Sequence, residues 1–264
     1  MLTQPTLSAV TLSWATRGSV RLEMREWCPS QPTGSWGLPI VCVHGAIGNA
    51  LSFADEGVAA ASGSIGSRAR PLLGFSRRGM AGSDTPRTGY RLEDFVADLA
   101  AVVAANAYRR SIVFGHSFGV PIALSFAAQH GDLVAGLVLG DYGPRYPALS
   151  DDWIRRVEER LDREAADPGG ATFRIEAMRE MQRDSRAIAL DDAMAALRCP
   201  VLVLTGDRSD VLLTADDRAR FERSGVDVRI VTITGAGHGL DVEGRNDAFL
   251  SVLGSFVDRV EEVG

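Results

Sequence analysis

Five short apolar runs set the pattern of this chain: Ile40–Val43, Pro71–Phe75, Ile112–Phe114, Leu137–Leu139 and Val201–Leu204. A strand with one wet face alternates apolar and polar residues. A run that is apolar throughout needs cover on both faces, as in a parallel sheet between two layers of helices. Helical stretches lie between the runs. Residues 92–107 place Leu92, Phe95, Leu99, Val102 and Val103 on one stripe, residues 118–129 are small and apolar, and residues 246–260 carry Phe249, Leu250, Leu253, Phe256 and Val257. Strand–helix alternation of this kind predicts an α/β fold with right-handed crossovers.

Two segments depart from the alternation. Residues 10–16 and 20–27 read as two strands joined near Gly18, the second alternating Val20, Leu22 and Met24 with Arg21, Glu23 and Arg25, which suits an edge hairpin. Residues 144–196 are rich in Arg, Asp and Glu and show no strand pattern. Trp153, Val157 and Leu161, and then Ile175, Met178 and Met181, fall at helical spacing. The expected organisation is a core of residues 1–143 and 197–264, with residues 144–196 forming a small helical cap between the sixth and seventh strands.

Composition narrows the chemistry. The formal net charge is −6, which argues against nucleic-acid and anionic-membrane partners. All 28 basic residues are Arg, so no Schiff-base or P-loop lysine exists, and an all-Arg set suits a GC-rich bacterial coding sequence. The three widely spaced cysteines, Cys28, Cys42 and Cys199, fit neither a disulfide framework nor a zinc site. With no signal-peptide pattern and no long apolar run, the expected location is the cytoplasm.

The chemistry is carried by Gly115-His116-Ser117-Phe118-Gly119, which follows an apolar strand and opens an apolar helix. This is a G-x-S-x-G elbow in the strand–turn–helix setting it requires. A serine hydroxyl needs a base to become a nucleophile. Of the four histidines, His116 sits beside the serine and should diverge from it. His44 leaves a strand and His130 ends a helix, whereas His238 lies on the glycine-rich loop Gly235-Ala236-Gly237-His238-Gly239 between the last strand and the last helix. His238 is therefore the expected base. An oxyanion needs preorganised N–H donors; Phe118, next to the serine, and Ala46, after the strand Ile40–Val43, are the candidates. Asp141, Asp207 and Asp210 each follow a strand and are candidates for the acid that holds His238 in its working tautomer.

Val41-Cys42-Val43-His44-Gly45, Phe75-Ser76-Arg77-Arg78-Gly79-Met80-Ala81-Gly82-Ser83-Asp84, the elbow, Pro200–Gly206 and Gly235–His238 occur in an order that resembles the α/β-hydrolase superfamily, in its serine esterase, epoxide-hydrolase-like and haloperoxidase-like branch. The resemblance covers about residues 10 to 260. It implies an eight-stranded, mostly parallel sheet with an antiparallel second strand, helices on both faces, and the order Ser–acid–His. Ser76 departs from the Asp common at that place. Relatives commonly carry the acid three residues past the Gly of the loop after 201–205. Ser209 stands there, and a loop one residue longer would bring in Asp210, the preferred candidate. Asp141, 24 residues after Ser117, resembles the spacing in relatives that take the acid from the preceding strand and is the alternative.

The expected reaction is cleavage of a small to medium, largely apolar carboxylic ester or lactone through an acyl-enzyme on Ser117, with no metal or organic cofactor. His44, Phe53, Tyr142 and Trp153 are the expected pocket residues, with Ile154, Phe173, Met178 and Met181 as further cap walls. Arg145 is a candidate for recognising a carboxylate, which would suit a carbon–carbon bond hydrolase. A cofactor-free perhydrolase, lyase or cyclase could use the same triad, and a non-catalytic ligand-binding protein could keep the fold.

Overall fold

The computed structural model describes residues 9–29, 35–55, 65–164, 173–240 and 247–263. Among these described residues ten strands appear: β1 (Ala9–Arg17), β2 (Val20–Cys28), β3 (Ile40–Val43), β4 (Leu72–Phe75), β5 (Ser111–His116), β6 (Val134–Gly140), β7 (Arg145–Tyr146), β8 (Ile188–Ala189), β9 (Val201–Gly206) and β10 (Val228–Ile233). Eight of them form one sheet in the order β1-β2-β4-β3-β5-β6-β9-β10. β2 pairs antiparallel with β1 and β4, and every other pairing in the sheet is parallel. The expected eight-stranded, mostly parallel sheet with an antiparallel second strand is present.

The helices are α1 (Ser52–Asp55), α2 (Leu92–Ala105), α3 (Gly119–Gln129), α4 (Asp151–Glu164), α5 (Ile175–Asp184), α6 (Asp191–Ala195), α7 (Ala215–Glu222) and α8 (Asp247–Val263). Two buried clusters flank the sheet. One joins the stripe of α2 (Phe95, Leu99, Val102) to α3 and to Val41, Val113 and Leu137 of the strands. The other joins Phe249, Leu253 and Phe256 of α8 to Ile40, Ile112 and Leu202. Consecutive residues of one strand thus serve opposite cores, which is why these strands are apolar at every position. No helix among the described residues is long and apolar enough to cross a membrane.

The polar side of β2 is not simply solvated. Glu23 is buried, accepting from Arg25 Nη2 (2.7 Å), Gly82 N (2.8 Å) and Ser76 Oγ (3.2 Å). Ser76 also accepts from Ala50 N at 3.0 Å. The serine that departs from the usual Asp therefore borrows a carboxylate from the neighbouring strand.

Between β6 and β9 the chain builds α4, α5, α6 and a two-residue ladder of β7 with β8. The ladder corrects the strand-free expectation for 144–196; two residues are too few to show a period. Val157, Phe173, Ala177, Met178 and Met181 of this insertion are buried in the same cluster as α2 and α3.

Candidate active site

β5 runs into the elbow, and Ser117 takes φ +54, the left-handed region that costs an L-residue strain. A hydrogen bond from Ser117 N to Gly140 O (2.8 Å) holds the turn against β6. Side chains on either side would not fit: a Cβ at Gly119 would fall on the Val43 carbonyl, and one at Gly115 would meet the backbone of Gly119. Phe118 caps the N-terminus of α3, so its amide is one of the helix's orphan donors.

His238 stands on the loop after β10. Its Nε2 lies 3.0 Å from Ser117 Oγ and its Nδ1 lies 2.6 Å from Asp141 Oδ2. With the carboxylate accepting at Nδ1, the proton sits there and Nε2 is free to accept from the serine hydroxyl. Asp141 is fully buried and accepts three further hydrogen bonds, from Thr205 Oγ1 (2.6 Å), Leu212 N (2.8 Å) and Leu213 N (3.3 Å). Burial works to raise its pKa, but the hydrogen bonds from His238, Thr205 and Leu212 outweigh it, and the net shift is downward.

The preference for Asp210 is thereby corrected. Asp210 is exposed, and its Oδ2 accepts from the backbone N of His238 at 3.2 Å, not from the ring. Asp207 acts similarly, accepting from Gly235 N at 2.7 Å. Both acids of the β9 loop brace the main chain of the histidine loop, and the next residues of that loop, Leu212 and Leu213, supply amides to Asp141. The side chain at the ring comes from the residue just past β6, Asp141.

A cavity of about 360 Å³ opens at Ser117, lined by His44, Gly45, Ala46, Ile47, Gly48, Ser52, Phe53, His116, Arg160 and His238. Of the expected pocket residues, His44 and Phe53 line it. The His44 ring is fully engaged: Nδ1 donates to Gly45 O (2.8 Å) and Nε2 accepts from Arg77 N (3.1 Å). Burial and the Arg77 charge push its pKa well down, so the imidazole is neutral and braces the loop. Phe53 packs edge-on against Phe114 at 5.2 Å. Tyr142 and Trp153 are not among the lining residues. Arg145 lies 4.6 Å over the Tyr142 ring and is ion-paired with Asp217, so neither is directed at the cavity. Trp153 packs against the core, and Phe173, Met178 and Met181 are buried inside it.

Arg160 and His116 are among the lining residues that were not foreseen. Arg160 reaches the cavity from α4. His116 turns from Ser117, as expected, but its Nε2 donates to the His238 carbonyl at 2.7 Å, with the two rings 5.0 Å apart. Burial and the neighbouring His238 push its pKa down to about 4, which keeps it neutral. A larger cleft of about 680 Å³, bordered by Trp36, Pro39, Tyr108, Arg110 and Ala135, lies at the opposite ends of the parallel strands and holds no serine–histidine pair.

Residues 39–241 match the family described as alpha/beta hydrolase fold, which is most of the chain. The chain belongs to the α/β-hydrolase family. Among its relatives is 2-(acetamidomethylene)succinate hydrolase of Mesorhizobium japonicum, 25% identical over 221 residues, 70% of this chain and 78% of that protein. Solved α/β-hydrolase structures superpose over nearly the full length. An enol-lactonase from Burkholderia xenovorans gives a TM-score of 0.74 at 18% identity, covering 93% of this chain and 99% of that one. An esterase from Rhodococcus gives 0.72 at 21%, covering 95% and 99%. At these identities the superpositions establish the fold of this hydrolase-family chain and not its substrate.

Proposed function

We propose that this protein is a serine hydrolase that cleaves a small to medium carboxylic ester or lactone through an acyl-enzyme on Ser117. The observation that carries the reading is the unbroken hydrogen-bonded chain Asp141–His238–Ser117, at 2.6 and 3.0 Å. Ser117 attacks the carbonyl as His238 Nε2 takes its proton. Asp141 holds the tautomer and stabilises the imidazolium that forms. The amides of Phe118 and Ala46 receive the oxyanion, and His238 then protonates the leaving group and activates the hydrolytic water. In this reading the insertion of residues 144–196 acts as a cap over the cavity, and the cavity volume suits a compact acyl group.

The Mesorhizobium relative is named for a succinate, which favours a second reading of the substrate: an ester or lactone bearing its own carboxylate.

The test is covalent labelling with a fluorophosphonate probe beside Ser117→Ala, followed by hydrolysis of p-nitrophenyl esters of increasing chain length, with and without a terminal carboxylate. Wild type should label and the alanine variant should not. An unlabelled wild type sinks the activated-serine reading. Labelling without ester turnover moves the assignment to other chemistry on the same triad or to a binding role.

A further inference from the structure

Arg77 follows β4 and is almost completely buried, 1% exposed, yet no carboxylate among the described residues lies within ion-pair distance of it. Its neighbour Arg78 takes Asp98 in a two-point grip, 2.6 Å from both Nε and Nη2. Arg77 Nη2 donates instead to the carbonyls of Gly45 (2.8 Å) and Ala46 (2.9 Å). Its guanidinium carbon sits 4.9 Å from the ring centre of Phe118 and 5.2 Å from that of Phe95, and Nη1 touches Met181 Sδ at 3.7 Å. Burial lowers its pKa to about 10, which still leaves it charged at neutral pH. Burying a cation with no carboxylate in contact is costly; Asp98 acts on it only from beyond ion-pair distance, and its shortest contacts are the carbonyls of the loop that passes over Ser117.

Peptide geometry says what those contacts do. In a trans peptide, the carbonyl of one residue and the N–H of the next point in opposite directions across a rigid plane. Holding the Gly45 and Ala46 carbonyls toward Arg77 therefore turns the Ala46 and Ile47 N–H groups away from it. Both residues line the Ser117 cavity, and a Cβ on Gly45 would stand 3.3 Å from Ser117 Cβ. A full positive charge at the carbonyl end also polarises each peptide, making its N–H a stronger donor. The other face of the guanidinium rests on Phe118, whose own amide opens α3.

We propose that Arg77 is a positioning residue of the oxyanion site: together with His44 Nδ1 on the Gly45 carbonyl, its guanidinium fixes and polarises the Gly45–Ala46 and Ala46–Ile47 peptides so that their N–H groups face the oxyanion formed on Ser117. The proposal rests on the serine-hydrolase reading above. Arg77 need not touch substrate; it acts through the loop.

The experiment compares Arg77→Met, which keeps the stem, and Arg77→Lys, which keeps the charge but on a shorter side chain that ends before the Nη2 position from which both carbonyls are held. Folding is checked by circular dichroism and urea midpoint. Esterase kcat, KM and pH profile are measured with inhibition by an alkyl boronic acid, whose adduct on serine mimics the tetrahedral state. Loss of a complete oxyanion donor costs on the order of 10²–10³-fold in kcat. Misaligned donors cost less, so Arg77→Met should lose roughly 10- to 100-fold in kcat. KM should change little, the pH midpoint should stay in place, and boronate affinity should fall in parallel with kcat. Arg77→Lys should lie between the two. Folded variants with kcat within twofold of wild type, or with a rise in KM alone, overturn the proposal while the labelled wild type keeps the hydrolase reading intact. If Arg77→Met does not fold, Arg77→Lys decides alone: unchanged kcat and boronate affinity overturn the proposal, and a parallel loss in both upholds it.

Discussion

Asp141 and Asp210 leave neighbouring strands of the same sheet, and both hydrogen-bond to His238, but to different parts of it. The loop after β6 turns at once: Asp141 takes φ +45, and its buried carboxylate meets the imidazole Nδ1. The loop after β9 runs further out, with residues 207–210 exposed, and Asp210 reaches the His238 main-chain amide. One loop orients the ring and the other carries the backbone that bears it. A carboxylate near a histidine is thus not enough to mark it as the partner of the ring; the nitrogen it meets separates the two.

The largest test of this contrast is a pair of conservative substitutions. Asp141→Asn should lower kcat on the order of 10⁴-fold, the scale of losing a triad carboxylate. Asp210→Asn should cost less than about tenfold, the scale of weakening one backbone anchor. Steady-state kinetics on one ester read both, and the reverse ordering would break the comparison. Next in size, Thr205→Val removes a 2.6 Å hydroxyl donor from Asp141 and should lower kcat roughly 3- to 10-fold with KM unchanged; an unchanged kcat would mean the backbone amides suffice.

Gly237→Ala probes the bracing loop. Its new Cβ would stand 2.7 Å from Asp210 Oδ1, so the variant should lose about 1 kcal/mol or less in urea unfolding. Asp210→Ala should relieve that loss, and additivity of the two changes would show that Asp210 is not what the new methyl meets. The smallest effect is a pH slope. A carboxyl with a depressed folded pKa adds stability above its unfolded pKa and loses it as pH falls through the folded value. The stability difference between wild type and Asp141→Asn should therefore shrink as unfolding is measured from about pH 5 down to about pH 3. A difference independent of pH would place the carboxylate's contribution elsewhere.

Much of this was legible from residues alone, where the cause is local. The elbow around Ser117 is a short-range steric problem, and the glycines at 115 and 119 declare it. Strands apolar at every position announce a sheet with two covered faces. His238 emerged because so few histidines compete with it. Which carboxylate meets the His238 ring was not legible, since loops from β6 and β9 both end near His238 and side-chain direction depends on how each turns. The cavity wall was harder still. Arg160 and His116 reach it through tertiary placement, and the apolar residues of α4 and α5 went into the core instead. The cation behind the Gly45 and Ala46 carbonyls sits in a run, Ser76-Arg77-Arg78, where nothing in the spacing separates an arginine that binds Asp98 from one that binds carbonyls.

The amides of Leu212 and Leu213 tie the acid to a loop whose preceding residues are open to solvent. Such loops open well below the free energy of global unfolding. Each opening would strip Asp141 of two donors while β5, α3 and the elbow remain folded. Heat should therefore silence the enzyme before it melts the protein, making activity a thermometer of one loop rather than of the whole sheet.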